Sequence, residues 1–301
     1  GKASFTRCEC TGYGGGIYFS IQGNAEIQLT GEMEFIDCIG NQGGGISIEL
    51  QYYIMLVISS SCTFKNCTGS LGGGMYMQSY GIDTDIQITG LLSFDNCSCS
   101  YFGGGLWASC SNEGTFQFIG GMNFENCSAN QQGGAIYAII QSGGILTIDW
   151  QSKFTQCTAQ SGGGIYIQIN GAGSQLIIGD GLIFDTCSSQ FSGGGLYANM
   201  RTGAQLIFEG DCQFQNCSVN SGSGGGMSAY CNNEGSSIRF LGELKFDNCS
   251  STQSGGGAFI GSDDKASIEL NKVTCVDCKG RQGAGLNVLA NAYFSMSGKA
   301  S

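Results

Sequence analysis

The chain has no proline and no histidine, and only 12% of its 301 residues are charged. Without proline every backbone amide past the first can donate, which suits a sheet whose strands are nearly all central. Without histidine the usual neutral-pH acid–base group is missing, and so is a common metal ligand. Basic residues are few, 12 Lys+Arg against 23 Asp+Glu, for a net charge of −11. That balance lacks the basic footprint of a nucleic-acid binder. The longest apolar run lies around Tyr53 to Ile58, far too short to cross a bilayer. What the chain has instead is 53 glycines and 17 cysteines.

These residues recur with a period. Phe-x-x-Cys appears as Phe5/Cys8, Phe35/Cys38, Phe64/Cys67, Phe94/Cys97, Phe124/Cys127, Phe154/Cys157, Phe184/Cys187, Phe214/Cys217 and Phe246/Cys249. Cys275/Cys278 is a tenth copy, with Cys in the Phe position. Successive anchor cysteines are 30, 29, 30, 30, 30, 30, 30, 32 and 29 residues apart. Five to seven residues after each comes a glycine triplet, relaxed to Gly133-Gly134-Ala135 and Gly283-Ala284-Gly285 in two copies. A fixed period of this length is the mark of a solenoid.

Within a repeat the apolar residues alternate. Ile165, Ile167 and Ile169 face one way, and Tyr166 and Gln168 the other. A second run alternates likewise (Ile27, Leu29; Leu176, Ile178), and a third short run carries the Phe. Period two denotes strands. One three-strand coil cannot bury its apolar face alone, but stacked coils can, each strand pairing in parallel with its copy. The expectation is an all-β chain: a right-handed parallel β-helix of about ten coils, each of about 30 residues and three short strands. Stacked at the strand spacing these rise roughly 48 Å, with Phe and anchor Cys columns pointing inward.

The chain ends Gly298-Lys299-Ala300-Ser301, repeating Gly1-Lys2-Ala3-Ser4 in the same phase before a Phe. Residues 1–301 therefore read as a single β-helix domain and as one unit of a longer tandem array.

Three features bear on function. The residue after the first apolar position beyond the triplet should point outward. It is Tyr18, Tyr76, Trp107, Tyr137, Tyr166, Tyr197 or Phe259 in seven coils, and Ser47, Ser228 or Asn287 in the rest. The expectation is one exposed aromatic stripe, suited to lateral association or sugar stacking, set against mutual shielding within the stack. Second, Asn66, Asn96, Asn126, Asn216 and Asn248 precede the anchor Cys and are followed two residues on by Ser or Thr. They read either as glycosylation acceptors or as an internal amide ladder. Third, the cysteine density favours an oxidising, extracellular setting. The anchor column itself reads as small buried thiols, with disulfides between neighbouring coils or metal binding as alternatives. No catalytic or metal residue and no cofactor is singled out. The densest charged patch, Asp263-Asp264-Lys265, reads as a solvated bend.

Gly133-Gly134-Ala135-Ile136, the Gly-Gly-Gly-Ile segments at Gly14, Gly43 and Gly162, and the Phe-x-x-Cys anchors resemble the repeats of chlamydial polymorphic outer-membrane proteins and related protist surface proteins. Those carry Gly-Gly-Ala-Ile and Phe-x-x-Asn, so Cys here stands where that family has Asn. The resemblance implies a surface-exposed, adhesive β-helix.

The functional expectation is a structural subunit of an extracellular filament or stalk, whose partners are further copies of itself end to end, with lateral self-association or glycans besides. The alternative is a surface adhesin binding glycans or host protein through the aromatic stripe, and behind it a polysaccharide-cleaving β-helix.

Overall fold

The computed structural model describes residues 1–149, 151–291 and 293–298. Among them every regular element is a strand, and every strand pairing is parallel. The strands stack as a parallel β-helix of about ten coils, in three sheets. A ten-stranded sheet holds the segments after the glycine triplets, such as Ile165–Asn170. An 18-stranded sheet holds the second alternating run and the Phe run of each coil, such as Gln175–Ile178 and Leu182–Asp185. In two coils these runs fuse into single strands, Ser237–Asp247 and Ser267–Val276.

The third sheet differs from expectation. Residues after the anchor Cys, which the sequence reading did not set apart from the Phe run, form a seven-stranded sheet of short strands including Ser98–Phe102 and Ser188–Ser192. Their inward positions are small (Gly69, Cys99, Ala129, Ser189), so they carry no hydrophobic alternation to betray them.

Register follows the repeat. Phe5 pairs with Phe35, Phe35 with Phe64, and so on in register to Phe214 with Phe246 and Phe246 with Cys275. The Phe rings stack face to face with centroids 4.5 to 5.1 Å apart, which is the strand spacing. From Phe35 to Phe246 they are almost wholly buried. Burying each side chain stabilises the stack by about 2 to 3 kcal/mol relative to exposure. Of the terminal Gly-Lys-Ala-Ser, residues 299–301 lie outside the described residues; Gly298 donates its N–H to the Asn271 carbonyl at 2.7 Å.

Candidate functional site

The glycine triplet makes the column of rings possible. Gly162 sits at φ +62°, a conformation that side chains with a Cβ rarely adopt. A Cβ on Gly163 would lie 2.3 Å from the Gly194 carbonyl oxygen of the next coil. A Cβ on Gly164 would lie 2.7 Å from the Phe184 ring. The first glycine therefore serves the turn, the second the approach of coils, and the third leaves room for the next phenylalanine.

Each anchor thiol then closes the corner behind the ring. Cys38 donates to the Phe5 carbonyl at 3.3 Å, Cys187 to the Phe154 carbonyl at 3.4 Å, and Cys278 to the Phe246 carbonyl at 3.7 Å. The same link to the Phe of the preceding coil recurs for Cys67, Cys97, Cys127, Cys157, Cys217 and Cys249. All 17 cysteines are free thiols. From Cys38 to Cys249 the anchor column consists of small buried side chains. Among the described residues no three His, Cys, Asp or Glu side chains gather as metal ligands. Burial pushes the thiols up, Cys38 to about 11 and Cys62, Cys99 and Cys110 to about 12, because the thiolate would lose its water.

The aromatic stripe corrects the sequence reading. The side chains do point away from the coil interior, and they stack: Tyr76 on Trp107 at 4.4 Å, Tyr137 on Tyr166 at 5.4 Å, Tyr166 on Tyr197 at 4.7 Å. Yet Tyr76, Trp107, Tyr137 and Tyr166 are only 3%, 8%, 6% and 7% exposed. Stacked rings cover one another's faces, while Leu71, Phe102 and Ile139 pack against them. Phe102 itself stacks on Tyr137 at 4.8 Å. The result is a second small core outside the first. Tyr197 and Phe259 are half-buried. Only Tyr18, cut off from the stack by Ser47, stands well exposed at 43%. Burial also pushes the Tyr137 hydroxyl up to about 12.

The asparagines occupy a corner with left-handed backbone: φ is 51° at Asn66, 53° at Asn96, Asn126 and Asn216, and 49° at Asn248. Arg7, Asp37, Gln156, Thr186 and Asp277 take the same conformation at the same position. Asn and Asp tolerate it best, which explains the column. An amide ladder forms in stretches. Asn96 Nδ2 donates to Asn66 Oδ1 at 2.9 Å, Asn66 Nδ2 to Asp37 at 2.9 Å, and Asn248 Nδ2 to Asn216 Oδ1 at 2.8 Å. Asn216 reaches Asp185 at 3.4 Å. The ladder is not internal, however. Asn66 is half-buried and the other four are exposed, because a left-handed corner turns its side chain outward. The glycosylation reading therefore keeps its surface.

Two features escaped the sequence reading. Buried serines staple the bends before the second run: Ser174 accepts from the Gly143 N–H at 3.1 Å and donates to the Asn170 carbonyl at 2.8 Å, and Ser236 repeats this with Gly203 and Asn232. The other is a pair of irregularities in the short sheet, between Cys99 and Phe102 and between Ala159 and Ser161. Their only signal is the anchor-to-triplet spacing, six residues after Cys97 and Cys187 but five after Cys67 and Cys157.

Charged side chains pair across coils at the surface, as in Lys2–Glu34 at 2.9 Å, Arg239–Glu269 at 2.9 Å and Lys272–Glu243 at 2.7 Å. The Lys272 ammonium beside Glu243 lowers that carboxyl. Such exposed pairs contribute little stability. In the acidic bend Lys265 reaches Glu234 at 3.4 Å.

Compared with known proteins, the chain matches no family model, no curated protein and no solved structure. Fold and surface alone define its class, that of the parallel β-helices. Among the described residues no helix is long and apolar enough to cross a membrane.

Proposed function

We propose that this chain is a structural rod at the cell surface or outside the cell, lengthened by further coils stacked on its own. The observation that carries this reading is that every coil meets its neighbour in the same way: Phe pairs with Phe in register from Phe5 to Phe246, and all strand pairings among the described residues are parallel. An open parallel edge with apolar cross-section pairs readily with another strand. The occupant that fits is another coil of this kind, from the same polypeptide or a second copy. The resemblance to chlamydial and protist surface repeats supports the location.

The test is mass and shape. Native mass spectrometry and negative-stain microscopy of the purified chain should show rods several times longer than the roughly 48 Å of one unit. A soluble, monodisperse 31.4 kDa monomer would refute the reading. The adhesin reading would need a surface other than the central rings of the aromatic stripe, which are covered. The reading includes no catalytic role.

A further inference from the structure

The short sheet combines two features. It carries no charge: from Ser98–Phe102 through Ser128–Ala129 and Thr158–Ser161 to Ser188–Ser192, its outward residues are hydroxyls and amides on a chain of net charge −11. It also presents two large rings to water, Tyr101 and Phe191, each 49% exposed. Both stand at irregularities where a coil with one extra residue meets a shorter neighbour. A bulge re-aims a side chain out of the pleat, and bulges gather beside functional sites. Without the extra residue each ring would fall into the alternation, and Phe102 shows the outcome, half-buried against Tyr137.

Tyr101 and Phe191 lie three coils apart, about 14 Å along the stack. Between them stand Asn130 and Gln160, exposed, and Gln131, half-buried. Gln190 next to Phe191 is exposed and holds Ser221 at 3.2 Å. Each free amide offers two donors and an acceptor. A pyranose ring presents a flat C–H face that packs on an aromatic ring, and an edge of hydroxyls that matches amides. Two ring platforms joined by a strip of uncharged amides fit a sugar chain lying along the helix axis. A charged ligand finds no counter-charge on this strip, and an apolar peptide would strand the amides unpaired.

We infer that the short sheet is a binding platform for a neutral polysaccharide chain, with Tyr101 and Phe191 as stacking sites and Asn130, Gln131 and Gln160 as the hydrogen-bonding floor between them. This goes beyond the structural reading and does not depend on it, since the rod would stack whether or not this face is occupied.

The experiment is affinity electrophoresis of the full chain in native gels containing hydroxyethylcellulose, xyloglucan or galactomannan, with polygalacturonate as the charged control. At least one neutral polymer should retard the protein. The double substitution Tyr101→Ala with Phe191→Ala should weaken retardation at least tenfold, and Gln160→Ala, which removes an amide and leaves both rings in place, severalfold. Leu91→Ala with Leu241→Ala, exposed just before and within strands of the 18-stranded sheet, should leave it unchanged. Circular dichroism and the urea midpoint check that each variant folds. The proposal is overturned if no neutral polymer retards the protein, if polygalacturonate alone does, or if the folded Tyr101/Phe191 and Gln160 variants bind as the parent does.

Discussion

The fit between the third triplet glycine and the phenylalanine of the next coil can be tested by a double-mutant cycle at Gly105 and Phe124. A Cβ on Gly105 would lie 2.6 Å from Phe124 Cε1 and 2.7 Å from Cδ1, with the next atom, the Ala135 carbonyl oxygen, at 3.2 Å. The ring cannot step aside, since it is fully buried and stacked on Phe94 at 4.5 Å and Phe154 at 5.0 Å. Gly105→Ala alone should therefore cost about 1 to 3 kcal/mol by overpacking. Phe124→Ala alone should cost about 3 to 5 kcal/mol, transfer and cavity together, with two lost stacking contacts within that loss. In the double variant the added methyl enters the space the ring has left. The combined loss should fall short of the sum by about 1 kcal/mol or more. Equilibrium urea unfolding of the four proteins measures this. Strict additivity would show that the glycine answers only to backbone geometry, and the account of the triplet would be wrong.

Alkaline stability follows from the buried thiols. The folded state holds Cys62, Cys99 and Cys110 near 12 and Cys38 near 11, above their unfolded value, so stability is complete below about pH 8.5 and is withdrawn as pH rises toward 12. Each thiol withdraws up to about 1.4 kcal/mol per pH unit, and a urea midpoint unchanged between pH 8 and pH 10.5 would contradict it. Thiol titration with a chromogenic disulfide in native buffer should find only the half-buried Cys8, Cys10, Cys275 and Cys278 reactive, and all 17 after denaturation. Rapid reaction of the interior column in the native protein would contradict its burial. At the left-handed corner Asn126→Gly should leave stability within about 0.5 kcal/mol, while Asn126→Val should cost about 1 to 2 kcal/mol; equal costs would mean that φ is not what selects the residue.

How much of this was legible follows from which interactions repeat. Phe-x-x-Cys and the triplet recur because each coil meets its neighbour in the same way, so periodicity gives the register of Phe154 on Phe124 directly. Alternation assigned Tyr76, Trp107, Tyr137 and Tyr166 to the outer face correctly but could not say what covers that face. Leu71 and Phe102, from the neighbouring short strands, do so. Those strands were themselves hidden, because a corner lined by Gly69, Ala129 and Ser189 needs small residues and leaves no hydrophobic period. The asparagines marked a special backbone position, but left-handed φ turns them to solvent, so the ladder, one of the two sequence readings, is not internal. Tyr101 and Phe191 left only a one-residue change in spacing.

Because every strand pairs with its copy in the coil above, the ladder hydrogen bonds point along the long axis of the stack. A pull on the two ends therefore loads the coil interfaces in series, like links of a chain, and the thinnest link yields first. One thin link joins the coils of Ser128–Ala129 and Thr158–Ser161, where this face pairs only Ser128 with Thr158 and Gln132 with Ser161. Once it parts, each further coil peels away as about 30 residues of slack, near 100 Å when extended. The molecule would then pay out length in steps under tension. Force spectroscopy should show a sawtooth with that spacing, and a single rupture of the whole stack would show that the coils share the load.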